Sequence, residues 1–135
     1  MKFVPTIIGV AAMLGLAAFT LPSRATPAPT THSVKVHCPA GGHAGFVTPS
    51  PVHVVLGDAV KWSMTGQVMS DSIIISLKDS TQTWPFAGSP SHGGTSATAS
   101  NAAHAGHYGY NVTLLCRVAG GGTQRAVIDP DIIIQ

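Results

Sequence analysis

Large apolar side chains alternate with small or polar ones most cleanly from His107 to Cys116, where Tyr108, Tyr110, Val112, Leu114 and Cys116 fall on one side. Successive side chains of a strand point to opposite faces, so this stretch, continued to Arg117, predicts a central strand whose even-numbered positions enter a core. The same alternation recurs at Ser33 to Cys38, with Val34, Val36 and Cys38 inward, and at Val52 to Leu56, with Val52, Val54 and Leu56 on one face. Ala59 to Met64 sets Val60, Trp62 and Met64 against Ala59, Lys61 and Ser63, a strand with one dry and one wet side. Asp71 to Leu77 has Ile73, Ile74 and Ile75 in a row, which predicts a strand covered on both faces. Gln124 to Ile134 reads as the last strand, interrupted at Asp129-Pro130, which suits an edge or a bulge.

Between these stretches Pro39 to Gly45 reads as a glycine-rich turn, and Gly57-Asp58 as another. Lys78 to Asn101 is long and irregular, with room for a short edge strand at Thr95 to Ser100. Its Trp84-Pro85-Phe86 is expected to plug one end of the domain, because exposed Trp and Phe are costly. Glutamate is absent and only 9% of residues are charged, a mix that disfavours long surface helices. An all-β sandwich of about seven strands follows.

The N-terminus changes the picture of charge and compartment. Lys2, an apolar run from Ile7 to Leu21, and small residues at Ser23 and Ala25 form the three-part pattern of a secretory signal peptide over residues 1–25. The apolar run falls short of the roughly 20 residues that cross a bilayer core. Residues 26–32, rich in Pro and Thr, are then a flexible leader and 33–135 one domain in the periplasm or outside the cell. Without Lys2 and Arg24, five Lys and Arg oppose five Asp, leaving no basic stripe for nucleic acid. Cys38 and Cys116 both close inward-facing alternations, and thiols of exported chains are usually paired. Their disulfide is predicted to stabilise the fold by about 4 kcal/mol.

Gly57-Asp58-Ala59-Val60-Lys61-Trp62 resembles the G-D-x-V-x-W strand of the cupredoxin family, and Tyr108-Gly109-Tyr110-Asn111-Val112 is similar to its late Y-x-Y-x-C strand. With Trp84-Pro85-Phe86 between them and Asp129-Pro130-Asp131 followed by three isoleucines at the end, the chain resembles exported bacterial proteins of cupredoxin-like fold without a blue-copper site. The resemblance implies a Greek-key β-sandwich. It also implies where a thiolate would stand, two residues after the second tyrosine, and that position is Val112, which has no electron pair to give. No histidine lies in Gln67 to Ser72, and neither histidine nor methionine follows Arg117, so the other ligand positions are empty too.

Seven histidines invite a separate metal reading, with His92, His104 and His107 as candidate copper ligands and Met64 and Met69 nearby. Against it, three-apart spacing aligns ligands only on a helix, and Ala105-Gly106 does not favour one. Solvated loop histidines are the simpler account. Catalysis has less support: the aspartates suit turns, and Ser89, His92 and Asp79 lack the glycines of a nucleophile elbow. Trp84 and Phe86 remain as a candidate recognition surface, with burial in the core as the competing role. The expectation is therefore a monomeric, metal-free binding or structural module without catalytic activity or cofactor, taking a protein or small-molecule partner. The alternative is a periplasmic copper-handling protein.

Overall fold

The computed structural model describes residues 23–92 and 94–135. The expected signal peptide lies outside the described residues except for Ser23, Arg24 and Ala25, which are exposed. Ten strands are described: β1 Thr31–His37, β2 Phe46–Thr48, β3 Val52–Val54, β4 Ala59–Met64, β5 Ser70–Leu77, β6 Ser91–His92, β7 Ser96–Ala99, β8 Gly106–Arg117, β9 Thr123–Ile128 and β10 Asp131–Ile134. There is no helix among the described residues. One sheet has the order β2-β1-β4-β7-β6 and the other β3-β10-β8-β5, with β9 also on β8. Both sheets are mixed, since β1 runs parallel to β4 and β10 parallel to β3.

Period-two alternation places the core between the sheets. Val34, Val36, Val60, Trp62 and Met64 come from the first sheet, and Ile73, Ile75, Tyr110, Val112, Leu114, Ile132 and Ile134 from the second. Val112 is wholly inaccessible and pairs across the ladder with Ile75. Trp62 and Tyr110 meet across the core at a ring separation of 5.7 Å, and Trp62 Nε1 donates to the Tyr110 hydroxyl at 3.0 Å. That bond satisfies the polar ends of two large buried rings. Cys38 and Cys116 form the expected disulfide, with Cα atoms 5.8 Å apart, and tie the end of β1 to the end of β8.

The last strand is a single antiparallel run against β8, because Val112 faces Ile128 and Gly109 faces Asp131 in one continuous register. Pro130 interrupts it where its missing N–H would have bonded β8, while its carbonyl still accepts from Tyr110 N at 3.0 Å. β9 is an edge, as the break suggested, whereas β10 is covered by β3.

Five expectations are corrected. Three strand segments beyond the expected seven appear: the short β2 and β6, and the division of the last strand into β9 and β10. Leu56 does not follow Val52 and Val54 inward but is 49% exposed, because β3 stops at Val54 and the chain turns at Gly57, where φ is +93°. β5 is covered on one face only: Ile73 and Ile75 are buried and Ile74 is exposed, since no layer among the described residues lies outside the second sheet. β7 is not an edge, having β4 on one side and β6 on the other. β1 also starts at Thr31, inside the stretch read as leader, because the β4 edge offers Thr31 and His32 parallel partners in Ala59 and Val60.

Candidate functional site

The residues with most chemistry left over meet at the disulfide end of β1. Gly41 and Gly42, with φ of +58° and +79°, close a tight turn in which Ala40 and His43 exchange backbone hydrogen bonds. Beyond it the chain returns so close to β1 that a Cβ on Gly45 would lie 2.9 Å from the His37 carbonyl oxygen. Glycine there lets β2 pair with β1 and sets Phe46 opposite His37. The two rings stack at 4.2 Å with planes 12° apart, and Phe46 is 49% exposed. On the other side the β4–β5 connection docks through Thr65, whose N–H donates to the Val36 carbonyl at 2.9 Å and whose Oγ1 is hydrogen-bonded to His37 Nε2 at 2.9 Å.

Between hairpin and connection lies a cleft of about 310 Å³ lined by His37, His43, Phe46, Thr65, Gln67 and the Cys38 end of the disulfide, among others. That volume is at the small end of the range for ligand pockets. Its chemistry is a flat aromatic and imidazole wall with hydroxyl, amide and ring N–H donors, and no carboxylate in the lining. Such a set favours a small planar group carrying hydrogen-bond acceptors.

A larger depression of about 550 Å³ lies between Thr26 to Thr30 and the turn at Val55 to Asp58. It is a seam rather than a second polar site. Its one carboxylate, Asp58, is already engaged, accepting from Thr30 N at 2.8 Å and from His32 Nε2 at 2.8 Å. The Thr30 N–H, followed by the His32 ring, holds the Asp58 carboxyl below its ordinary range.

No protein-family profile and no curated protein matches this chain. The site has to be read from its own residues.

The candidate copper ligands stand apart. His92 lies on β6 and its Nε2 accepts from Ile75 N at 3.2 Å, so it caps the open edge of β5. His107 is at the start of β8 with Nε2 3.3 Å from Asp131 Oδ1. His104 precedes β8, and its carbonyl accepts from the Tyr108 hydroxyl at 3.3 Å. Among the described residues no three His, Cys, Asp or Glu side chains are grouped as a metal site. Met64 is buried in the core and Met69 packs against it. Asp79, one member of the triad drawn from sequence, accepts instead from Thr81 N and Thr81 Oγ1, which lowers its pKa.

Of the two roles weighed for the aromatic pair, Phe86 takes the buried one, which agrees with the expected plug and corrects its place on a recognition surface: it is 3% exposed and belongs to the core. The cause is backbone pairing, since Phe86 bridges to Ala102 and Pro85 O accepts from Ala103 N, which draws this segment inward. Trp84 is half-buried against it, with ring centroids 5.5 Å apart and a buried Nε1 that has no partner among the described residues. Sequence reasoning missed Phe46 and Thr65 and treated His37 as one histidine of seven. The available signal was Gly41-Gly42, a hairpin dipeptide flanked by His37 and Phe46 at matching distances.

Proposed function

We propose that the protein is an exported binding module on a cupredoxin-like scaffold, non-catalytic and metal-free, that takes a small planar ligand or side chain in the His37–Phe46 cleft. The observation that carries this reading is Phe46, half-exposed and stacked on His37 over a cleft lined by hydroxyl, amide and imidazole groups with no carboxylate among them. Two features of the interior support it. Val112, where the resemblance expects a thiolate, is an aliphatic side chain packed without access, and Cys116 is consumed by Cys38. The disulfide is compatible with an oxidising, extracellular location. No helix among the described residues is long and apolar enough to cross a membrane.

Calorimetric titration of the oxidised protein tests the reading. Benzoate, a planar ring with an acceptor group, is expected to bind in the millimolar range or tighter, and Phe46→Ala to weaken it about tenfold. Copper(II) and zinc ions are expected to form no one-to-one complex tighter than micromolar. A tighter complex with either metal would replace this reading with the copper-handling one.

A further inference from the structure

Among the described residues β9 has no neighbour strand on the side away from β8, as β5 has none on its outer side. The β8 hydrogen bonds fix which backbone groups face the open side of β9. Leu115 N and Arg117 N donate toward β5, to Ser70 Oγ and Met69 O, while Tyr110 N donates the other way to Pro130 O. Odd-numbered β8 residues therefore bond toward β5 and even-numbered ones toward β9. Since Val112, Leu114 and Cys116 face Ile128, Ala126 and Gln124, those three β9 residues spend their backbone groups on β8. Thr123, Arg125 and Val127 present theirs outward.

The side chains of the same odd positions stand on the outer face of the sheet. Val127 is exposed beside Thr113 and, across it, Ile74, while exposed Leu115 faces Arg125. Proteins blunt free edges with charge, bulges or covering groups. The β5 edge is blunted in this way, by the His92 ring on Ile75 N–H and an irregularity at Ser70. β9 carries one cation, Arg125, and four residues on is its complement, Asp129.

We propose that β9 pairs antiparallel with β9 of a second copy about a two-fold axis at Val127, continuing the second sheet across a weak homodimer. This register sets Val127 against Val127 as a hydrogen-bonded pair, Arg125 against Asp129 twice, and Ala126 against Ile128 on the inner face. An axis at Arg125 would oppose two guanidinium groups, and one at Ala126 would leave Arg125 against Val127 with no charge pair. Asp129 already accepts from Lys78 Nζ at 3.2 Å, so in the dimer it lies between two cations. An edge contact buries less than the roughly 1,600 Å² of a standard interface, so the dimer belongs to the micromolar class. It replaces the expected monomer and does not rest on the cleft.

Sedimentation velocity on the oxidised mature chain tests it. A reversible monomer–dimer equilibrium across the micromolar range is expected. Arg125→Asp or Asp129→Arg alone should weaken it at least about tenfold, and the double reversal should restore it to within about threefold. Near-ultraviolet circular dichroism checks that each variant keeps the Trp62 and Tyr110 packing. A wild-type chain that stays monomeric into the millimolar range, single reversals without effect, or a double reversal that stays broken would overturn the proposal.

Discussion

The slab around Val112 and the cleft beside His37 are joined by one disulfide, yet they use their side chains in opposite ways. In the slab, alternation on β4 and β8, and on β5 from Ile73 onward, delivers Trp62, Ile73, Tyr110, Val112 and Leu114 to one dry layer, and the Trp62–Tyr110 bond pairs the polar ends of two of its aromatic rings. Nothing is left to offer a ligand. In the cleft, alternation lapses at a two-glycine turn, and Phe46 and His37 stack while keeping one side open. The lesson is that a strand pattern good enough to fill an interior consumes the residues it orders, and binding chemistry gathers where the pattern stops.

The largest expected effect breaks the link between the two regions. Replacing both Cys38 and Cys116 with serine should lower stability by about 4 kcal/mol, read from urea or thermal unfolding, because the bond closes a separation of 78 residues. Benzoate affinity should fall as well, since the β1 end that carries His37 loses its tether. Unchanged stability would mean that the slab holds without its staple.

Tyr110→Phe sharpens the contrast by touching the slab alone. It leaves Trp62 Nε1 buried without an acceptor and should cost about 1–3 kcal/mol, with benzoate affinity unchanged. Burial, the largest cause, pushes the Tyr110 phenol up to about 12. The unfolded chain thus loses this proton at a lower pH than the folded chain does. The contribution is present below the ordinary tyrosine pKa near 10 and is lost as pH rises from there through about 12. Unfolding titrations over that window should show stability falling, and Tyr110→Phe should flatten the fall.

Acid probes the seam at Asp58. Its folded pKa is lowered, so its contribution is present above the ordinary carboxylate range and is lost as pH falls through the lowered value. Asp58→Asn should remove that part of the acid dependence and speed proteolysis near Thr30 without altering the slab. Smallest in stability is Phe46→Ala, expected within about 0.5 kcal/mol because the ring is half-exposed, although it removes most of the cleft's binding. A large stability loss there would place Phe46 with the core and dissolve the comparison.

Most of the slab could be read from sequence because period-two burial is local information. Ala59 to Met64 and His107 to Arg117 matched their strands to within a residue, and the inward faces of Cys38 and Cys116 led to their pairing. What failed depended on neighbours distant in sequence. Ile74 lies bare because no layer among the described residues covers the outer face of the second sheet. The cleft was illegible for the same reason: His37, Phe46 and Thr65 meet through a hairpin and a separate connection, and three-residue β2 is too short to show alternation.

A single heteronuclear NMR titration of the oxidised protein with benzoate tests the division between filled interior and open cleft most directly. The account predicts saturable shifts confined to His37, His43, Phe46, Thr65 and Gln67, with the methyls of Val112 and Leu114 unmoved. Shifts at those core methyls, or saturable shifts clustered around Trp84 with none at Phe46, would contradict it.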